Sequence, residues 1–153
     1  MMTEVKKVLF VCTGNSARSQ MAEGLLKALG SREWKARSGG IFPSYVHPLA
    51  IRAMGEIGID ISKQTSKSID RFVKKKFNYI ITLCDDAAKS CPHFPGAGKR
   101  LHWPFEDPAA AIGTAEERLA VFRKVRDKLK IKIEEFLRSG PSEVLDPIAS
   151  FKF

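Results

Sequence analysis

One stretch near the amino terminus restricts the fold of this chain more than any other. Residues 6–11 form a short, mainly apolar run, which is typical of a buried strand in a parallel sheet. A polar loop follows, and apolar side chains then recur at helical spacing over residues 19–29 until Gly30 ends the pattern. A strand that passes through a loop directly into a helix predicts a β–α unit, the connection that parallel strands require.

Further strands and helices alternate along the rest of the chain. Three more segments have the composition and flanking residues of strands, namely residues 35–38, 78–83 and 100–103. Helical spacing appears over residues 48–57 and again over residues 119–136, where a capping box of Thr114 and Glu117 precedes it. The alternation predicts a single-domain, three-layer α/β/α fold with a four-stranded parallel sheet.

The predicted domain occupies residues 1–138, and residues 139–153 are expected to form a C-terminal tail because helical periodicity ends there. Ligands of parallel α/β folds bind beyond the carboxyl ends of the strands. Cys12, Cys84 and the segment of residues 103–107 all fall at such ends. We therefore expect the functional site to combine residues from these three places.

Composition limits the classes of protein to consider. The 153 residues contain 44% hydrophobic side chains, no run long enough to span a bilayer and no readable signal peptide. We therefore expect a cytoplasmic protein and no membrane partner. Three cysteines in such a chain do not make a disulfide framework. The net charge of +9 would attract any anionic partner without identifying it.

The loop after the first strand has the features of an oxyanion site. A loop between a strand end and a helix start directs backbone N–H groups inward, where the helix dipole adds positive charge. We expect Gly14 to permit a positive φ, Asn15 to tolerate left-handed geometry and lock the loop with its amide, and Arg18 to hold two oxyanion oxygens. In this field Cys12 is expected to react as a thiolate. Ser19 could orient its sulfur, cap the helix, or do both.

This segment carries a family resemblance. The residues from Cys12 through Glu23, together with Leu83-Cys84-Asp85, Cys91-Pro92 and the stretch of residues 102–108, resemble the low-molecular-weight tyrosine phosphatase superfamily, in particular its arsenate reductase branch. The resemblance covers the chain from residue 6 to about residue 137 and implies the fold of that superfamily. It also implies that the oxyanion lies in the loop formed by Thr13, Gly14, Asn15, Ser16, Ala17 and Arg18.

The resemblance further implies a relay of three thiols. Cys12 would attack arsenate, and Asp107 would protonate the departing oxygen. Cys84 would then attack Cys12, which releases arsenite, and Cys91 would attack Cys84 to leave a disulfide that thioredoxin reduces. Phosphate and sulfate would compete as oxyanions. No metal or organic cofactor is expected, and the protein is expected to be a monomer.

The spacing of the two distal cysteines makes a physical demand on that relay. If residues 84–91 were helical, the terminal Cα atoms would stand about 10.5 Å apart at ~1.5 Å per residue. A disulfide requires roughly 4.4–6.8 Å between Cα atoms. We therefore predict that this segment unwinds on oxidation. A zinc site with His93 or His102 is a weaker interpretation of Cys84 and Cys91, because zinc-binding pairs have shorter spacing, and both could instead be packed core residues.

Two other functions remain open at the level of sequence. A low-molecular-weight tyrosine phosphatase would use Cys12, Arg18 and Asp107 and leave the other cysteines idle. Ala109 and Ala110 follow the Asp-Pro pair where such phosphatases typically have an aromatic residue, which weakens this alternative. A basic nucleic-acid-binding module would fit the charge, but the sequence has no stacking platform or recognition helix, so no nucleic-acid partner is expected.

A cation site is the last expectation that the resemblance raises. Some related reductases bind potassium through residues matching Asn15, Glu23 and Ser38, joined by an aspartate. This chain has Lys67 at the position aligned with that aspartate. An ammonium group there would repel a cation and could replace it as the partner of Glu23. We therefore do not predict a potassium site.

Overall fold

The computed structural model describes residues 4–92, 94 and 96–139 of the chain. Four strands form one sheet in the order β2-β1-β3-β4, with β1 at Lys6–Cys12, β2 at Trp34–Gly40, β3 at Phe77–Thr82 and β4 at Ala97–His102. All three pairings are parallel. The predicted four-stranded parallel sheet is confirmed, and the carboxyl ends of its strands meet along one edge.

The register places the reactive residues at that edge. Cys12 pairs with Gly40, Val11 pairs with Thr82, and Thr82 pairs with His102. Beyond the last β3 residue, the backbone N–H of Leu83 donates to the Val11 carbonyl at 2.8 Å. Cys84, the residue after Leu83, therefore lies at the same edge of the sheet as Cys12.

Four helices cover the sheet: α1 at Arg18–Leu29, α2 at Pro48–Gly55, α3 at Asp85–Ser90 and α4 at Ala115–Ser139. Helices α1, α2 and α4 contact one another, and Phe136 of α4 packs edge-on against Tyr79 of β3. Side chains alternate between faces along a strand, so Thr82 points away from α4. Its neighbour His102 binds Asp85 of α3, which places α3 on the opposite face. The three-layer α/β/α architecture is thus as predicted.

The long last helix begins at the predicted capping box. The Glu117 N–H donates to Thr114 Oγ1 at 3.1 Å, and the Thr114 N–H donates to Glu117 Oε1 at 3.0 Å. The apolar positions of the helix form its buried face, namely Leu119, Phe122, Val125, Leu129, Ile133 and Phe136. No helix among residues 4–92 and 96–139 is both long and apolar enough to cross a membrane.

Several element boundaries differ from the sequence-based expectation, and two of these differences have a clear local cause. Helix α2 ends at Gly55 instead of residue 57, because Gly58 adopts a φ of 80° and lets the Ile59 N–H donate back to the Met54 carbonyl. Strand β4 begins at Ala97 instead of residue 100. Gly98 lies inside it because a Cβ there would stand 2.7 Å from the Asn78 carbonyl oxygen, so only glycine permits this close pairing.

Helix α4 continues through Ser139. The expected C-terminal tail of residues 139–153 therefore lies outside the described residues except for Ser139. The division into a domain of residues 1–138 and a tail stays a prediction.

Candidate active site

The loop between β1 and α1 directs its carbonyl groups outward. The carbonyls of Cys12, Thr13, Gly14 and Ser16 accept hydrogen bonds from backbone N–H groups of residues 41–47, and the Asn15 carbonyl accepts from the Gln20 amide. Within the described part of the chain, none of the amides of residues 14–17 donates a hydrogen bond. The loop therefore keeps a set of N–H donors for a ligand, as an anion-binding concavity does.

The left-handed residue in this loop is Asn15, with a φ of 46°. Of the two residues expected to allow such a conformation, Asn15 adopts it and Gly14 does not, since Gly14 lies outside that region and a Cβ there would meet only ordinary contacts. Asparagine tolerates the left-handed region because its short polar side chain can bond locally. The strained position is thus filled by a residue that also holds the loop together.

The fully buried Asn15 side chain makes three hydrogen bonds. Its Nδ2 donates to Ser19 Oγ at 2.8 Å and to Ser38 Oγ at 2.9 Å, and its Oδ1 accepts from the Lys67 N–H at 2.8 Å. Because the Ser19 oxygen accepts from Asn15, its hydroxyl hydrogen is available to the Cys12 sulfur, which lies 2.8 Å away. Ser19 makes no capping hydrogen bond at the start of α1, so the orienting role is the one the geometry supports.

Arg18, which follows the loop, lies close to Asp107. The Arg18 Nη1 donates to the Phe105 carbonyl at 3.0 Å, and its Nη2 lies 3.8 Å from Asp107 Oδ2. Asp107 also accepts from the Ala109 N–H at 3.0 Å at the start of a short 3-10 helix. Its side chain is 45% exposed, so the carboxyl group can reach a ligand in the loop.

The second cysteine reaches the loop directly. Cys84 Sγ lies 3.2 Å from the Thr13 hydroxyl, and Thr13 is the residue after Cys12. Cys84 is also the N-cap of α3, where its sulfur accepts from the Ala87 N–H at 3.4 Å. The structure therefore brings the first two predicted thiols to one end of the sheet.

The third cysteine lies at the other end of α3. The Cys91 N–H donates to the Ala87 carbonyl at 2.9 Å, which ends the helix. Cys91 is 7% exposed, and burial raises the pKa of its thiol while the nearby Arg100 charge partly opposes that rise. All three cysteines are free thiols, and the helix between Cys84 and Cys91 keeps their Cα atoms too far apart for a disulfide.

Comparisons with known proteins agree with this geometry. Residues 7–145 match the family model of low-molecular-weight phosphotyrosine protein phosphatases. The chain belongs to that family. An arsenate reductase from Halalkalibacterium halodurans is 50% identical over 135 residues, which are 88% of this chain and 97% of the relative.

Solved structures extend this relationship within the family. An arsenate reductase in the phosphate-binding state has a TM-score of 0.76 and 40% identity, over 88% of this chain and 98% of that one. A thioredoxin-dependent arsenate reductase from Corynebacterium glutamicum has a TM-score of 0.63 and 25% identity, over 92% of this chain and 66% of that one. The fold of this chain is therefore that of the low-molecular-weight phosphatase family.

Lys67, the expected partner of Glu23, lies beside it in the structure. The Glu23 carboxylate is buried and accepts from the Ser38 hydroxyl and from Lys27 Nζ, each at 2.5 Å, and Lys67 Nζ lies 3.8 Å from it. Burial lowers the pKa of Lys67, whereas the Glu23 charge opposes that shift. Two ammonium groups already balance this carboxylate, so these residues do not fit a potassium ion.

Sequence analysis did not find the role of one histidine. His102 was expected only as a possible zinc ligand, whereas in the structure its Nε2 lies 2.9 Å from Asp85 Oδ1 and its Nδ1 lies 2.8 Å from Thr82 Oγ1. Asp85 directly follows Cys84, which was a usable signal, but only the adjacency of β3 and β4 identifies its partner. His93, the other candidate for a zinc site, lies outside the described residues. Among residues 4–92, 94 and 96–139, no three His, Cys, Asp or Glu side chains converge on a metal position.

Proposed function

We propose that this protein is an arsenate reductase that converts arsenate to arsenite through Cys12, Cys84 and Cys91. The contact between Cys84 Sγ and Thr13, at 3.2 Å, is the observation that carries the proposal. A phosphatase has no use for a second thiol beside its oxyanion loop, whereas a reductase needs one to supply electrons. The relatives described above, at up to 50% identity, support the same assignment.

The first step forms a bond between sulfur and arsenic. The free amides of residues 14–17 and the Arg18 guanidinium hold the oxygens of arsenate, where the start of α1 adds partial positive charge. The Cys12 thiolate, with the Ser19 hydroxyl directed at it, attacks arsenic. One oxygen leaves as water after the Asp107 carboxylic acid donates a proton. Arsenic remains in its +5 state in this adduct.

The second step transfers the electrons. The Cys84 thiolate attacks the Cys12 sulfur, the bond between sulfur and arsenic breaks, and its electron pair stays on arsenic. Arsenic is thereby reduced to +3 and leaves as arsenite, while two thiols are oxidised to the Cys12–Cys84 disulfide. Cys91 then attacks Cys84, which releases the Cys12 thiolate and leaves a Cys84–Cys91 disulfide.

A dithiol protein of the thioredoxin class completes the cycle by reducing that last disulfide. Unwinding of α3 would expose the disulfide to such a partner, because Cys91 is buried in the reduced protein. The reaction requires no metal or organic cofactor in this scheme. A reducing cytoplasm is the compartment that suits this relay, because free thiols persist there. One copy of the chain holds all three cysteines, so the protein can act as a monomer. Phosphate and sulfate would compete with arsenate for the loop.

The deciding experiment measures arsenite formation with thioredoxin, thioredoxin reductase and NADPH. We expect turnover by the wild type and none by Cys12→Ser. We also expect multiple turnover to be lost in Cys84→Ser and Cys91→Ser. In Cys91→Ser, a single equivalent of arsenite should still form, with the protein trapped as the Cys12–Cys84 disulfide. Full multiple turnover by both distal variants would overturn the relay.

A phosphatase is the second candidate, and the pairing of Arg18 with Asp107 favours it together with family membership. Both groups would serve hydrolysis of a phosphate ester at Cys12. Cleavage of an aryl phosphate at full rate in Cys84→Ser and Cys91→Ser, without arsenite formation by the wild type, would establish this alternative. The exposed Ala109 and Ala110 offer no ring to hold an aryl group, so we expect such cleavage to be slow.

A further inference from the structure

Two side chains of β4 attach the short helix α3 to the sheet. The Arg100 Nη2 donates to the Ala88 carbonyl at 2.7 Å, and its Nη1 donates to the Cys91 carbonyl at 3.3 Å. At the other end of the helix, His102 Nε2 lies 2.9 Å from the Asp85 carboxylate. Arg100 and His102 are two positions apart in one strand, so they project from the same face. Together they contact both ends of α3.

The arginine satisfies carbonyl groups that a helix end leaves without partners. The last carbonyls of a helix have no intrahelical donor, and a cation near them is also favoured by the helix dipole. The Arg100 fork binds two such carbonyls, at positions 88 and 91. These contacts exist only while residues 85–91 keep their present conformation. Unwinding of the helix would leave both carbonyls to water.

The imidazole of His102 is held in position by Thr82 of the neighbouring strand β3. His102 is 6% exposed, and its Nδ1 lies 2.8 Å from the Thr82 hydroxyl. The Thr82 hydroxyl also donates to the Leu101 carbonyl at 3.3 Å, so the direction of its bond with Nδ1 follows the tautomer of His102. In both directions the Thr82 contact holds the ring with Nε2 beside Asp85. Asp85 is the first residue of α3 and directly follows Cys84. The hydrogen bond therefore fixes the helix start beside the Cys84 sulfur.

We propose that Arg100 and His102 form a clamp that holds residues 84–91 helical in the reduced protein and thereby sets the equilibrium between the Cys84–Cys91 dithiol and its disulfide. Both are positioning residues, because neither touches the oxyanion loop. The inference rests on the proposed function in that the Cys84–Cys91 disulfide is the last intermediate of the relay. The clamp opposes this disulfide, which requires Cα atoms closer than the helix allows.

The clamp is best measured without arsenate. Full-length Cys12→Ser retains only the two relevant thiols, and it can be equilibrated at pH 7 with mixtures of reduced and oxidised glutathione. Each disulfide reduced consumes two glutathione thiols and releases one glutathione disulfide, so trapping of free thiols gives the equilibrium constant. Because burial raises the pKa of Cys91, this thiol is protonated at pH 7. A change in the Cys91 thiolate content therefore does not account for a shift of the constant.

Removing the clamp should favour the disulfide. In the Cys12→Ser background, we expect Arg100→Ala to shift the equilibrium about 10-fold toward the disulfide, since two hydrogen bonds of the reduced form are lost. Arg100→Lys keeps the charge but loses the fork, and we expect about half of that effect on a logarithmic scale. Asp85→Asn should shift the equilibrium about 3-fold, as expected for a largely exposed partner.

Two neighbouring residues provide matched controls. Lys99→Ala removes a positive charge from the adjacent β4 position, which points to the other face of the sheet. Asp86→Asn removes a carboxylate from the same first turn of α3 and so measures the effect of the helix dipole that Asp85→Asn also carries. We expect Lys99→Ala to keep the equilibrium constant of the parent and Asp86→Asn to shift it less than Asp85→Asn does. Amide exchange of residues 86–91 in the reduced state should accelerate in the clamp variants only.

The outcomes separate the clamp from the proposed function. Unchanged equilibrium constants in Arg100→Ala and Asp85→Asn, with native circular dichroism, would overturn the clamp and leave the reductase assignment intact. An equal shift in Lys99→Ala would also overturn it, because net charge would then explain the effect. If the clamp variants shift the equilibrium but the wild type forms no arsenite, the clamp stands and the proposed function fails.

Discussion

The oxyanion loop of residues 13–17 and the segment of residues 84–91 lie at the same edge of the sheet but are held in different ways. The loop has its carbonyls bonded to residues 41–47 and is fixed by the buried Asn15. The second segment is a six-residue helix attached through a few side-chain contacts from β4. Preorganised donors suit the binding of an oxyanion. A short helix with few attachments suits a segment that must change shape to form a disulfide.

Substitution of Asn15 tests most directly whether the oxyanion loop depends on being held rigid. We expect Asn15→Ala to lower both arsenate reduction and aryl-phosphate cleavage about 10²- to 10³-fold, the range typical for loss of a preorganised oxyanion site. Asn15→Gly is the matched variant, because it permits the φ of 46° while also losing the three side-chain hydrogen bonds.

Steady-state rates of the two Asn15 variants would separate the two contributions. If Asn15→Gly retained full activity, backbone conformation alone would shape the loop. The equilibrium between the Cys84–Cys91 dithiol and disulfide should be the same in both variants, because this segment belongs to the other region. A shift in that equilibrium would show that the two regions do not act independently.

The second prediction concerns the segment of residues 84–91 itself. On formation of the Cys84–Cys91 disulfide, we expect amide exchange in residues 86–91 to rise about 10- to 100-fold, because local unwinding exposes hydrogen bonds that the helix protects. Exchange in α1, which follows the oxyanion loop, should stay the same. Hydrogen exchange followed by mass spectrometry on reduced and oxidised protein measures both. Identical protection of residues 86–91 in the two states would contradict the unwinding.

The third prediction tests the contact between the Ser19 hydroxyl and the Cys12 sulfur. We expect Ser19→Ala to slow alkylation of Cys12 by iodoacetamide at pH 7 by about 10-fold, because a hydrogen bond to a charged sulfur is lost. Ser44→Ala is a suitable control, since the Ser44 hydroxyl donates to the outward-directed Gly14 carbonyl. Cys84 and Cys91 should react at the wild-type rate in both variants. An unchanged Cys12 rate in Ser19→Ala would remove the orienting role.

The sequence predicted the loop better than the second segment, and the physical reason is the range of the contacts. The first strand, the loop and α1 are continuous in the chain, so Cys12, Arg18 and Ser19 meet through local geometry. The contact of Thr13 with Cys84 depends on the pairing of β1 with β3. That order of strands is a property of the whole sheet, and local patterns do not encode it.

The same distinction explains two further differences. The pairing of Asp85 with His102 needs β4 next to β3, so His102 had no visible partner in the sequence. The use of Asn15 instead of Gly14 at the left-handed position has another cause. Glycine is the default residue for positive φ, but the hydrogen bonds of a buried asparagine stabilise that conformation at the neighbouring position.

The smallest expected effect concerns the pH dependence of Cys91. Burial raises the pKa of this thiol in the folded protein, and the Arg100 charge partly opposes that rise. The unfolded chain therefore loses this proton at lower pH than the folded protein does, so Cys91 contributes stability that declines as pH rises from the ordinary thiol range to the folded pKa.

The alkylation of Cys91 should likewise reach half of its maximal rate at higher pH than that of a model thiol. Arg100→Met should move this midpoint further upward by a fraction of a pH unit, whereas Lys99→Met should not. A midpoint equal to that of a free thiol would mean that Cys91 is already accessible to solvent in the reduced state. It would contradict the burial of Cys91 at the end of α3.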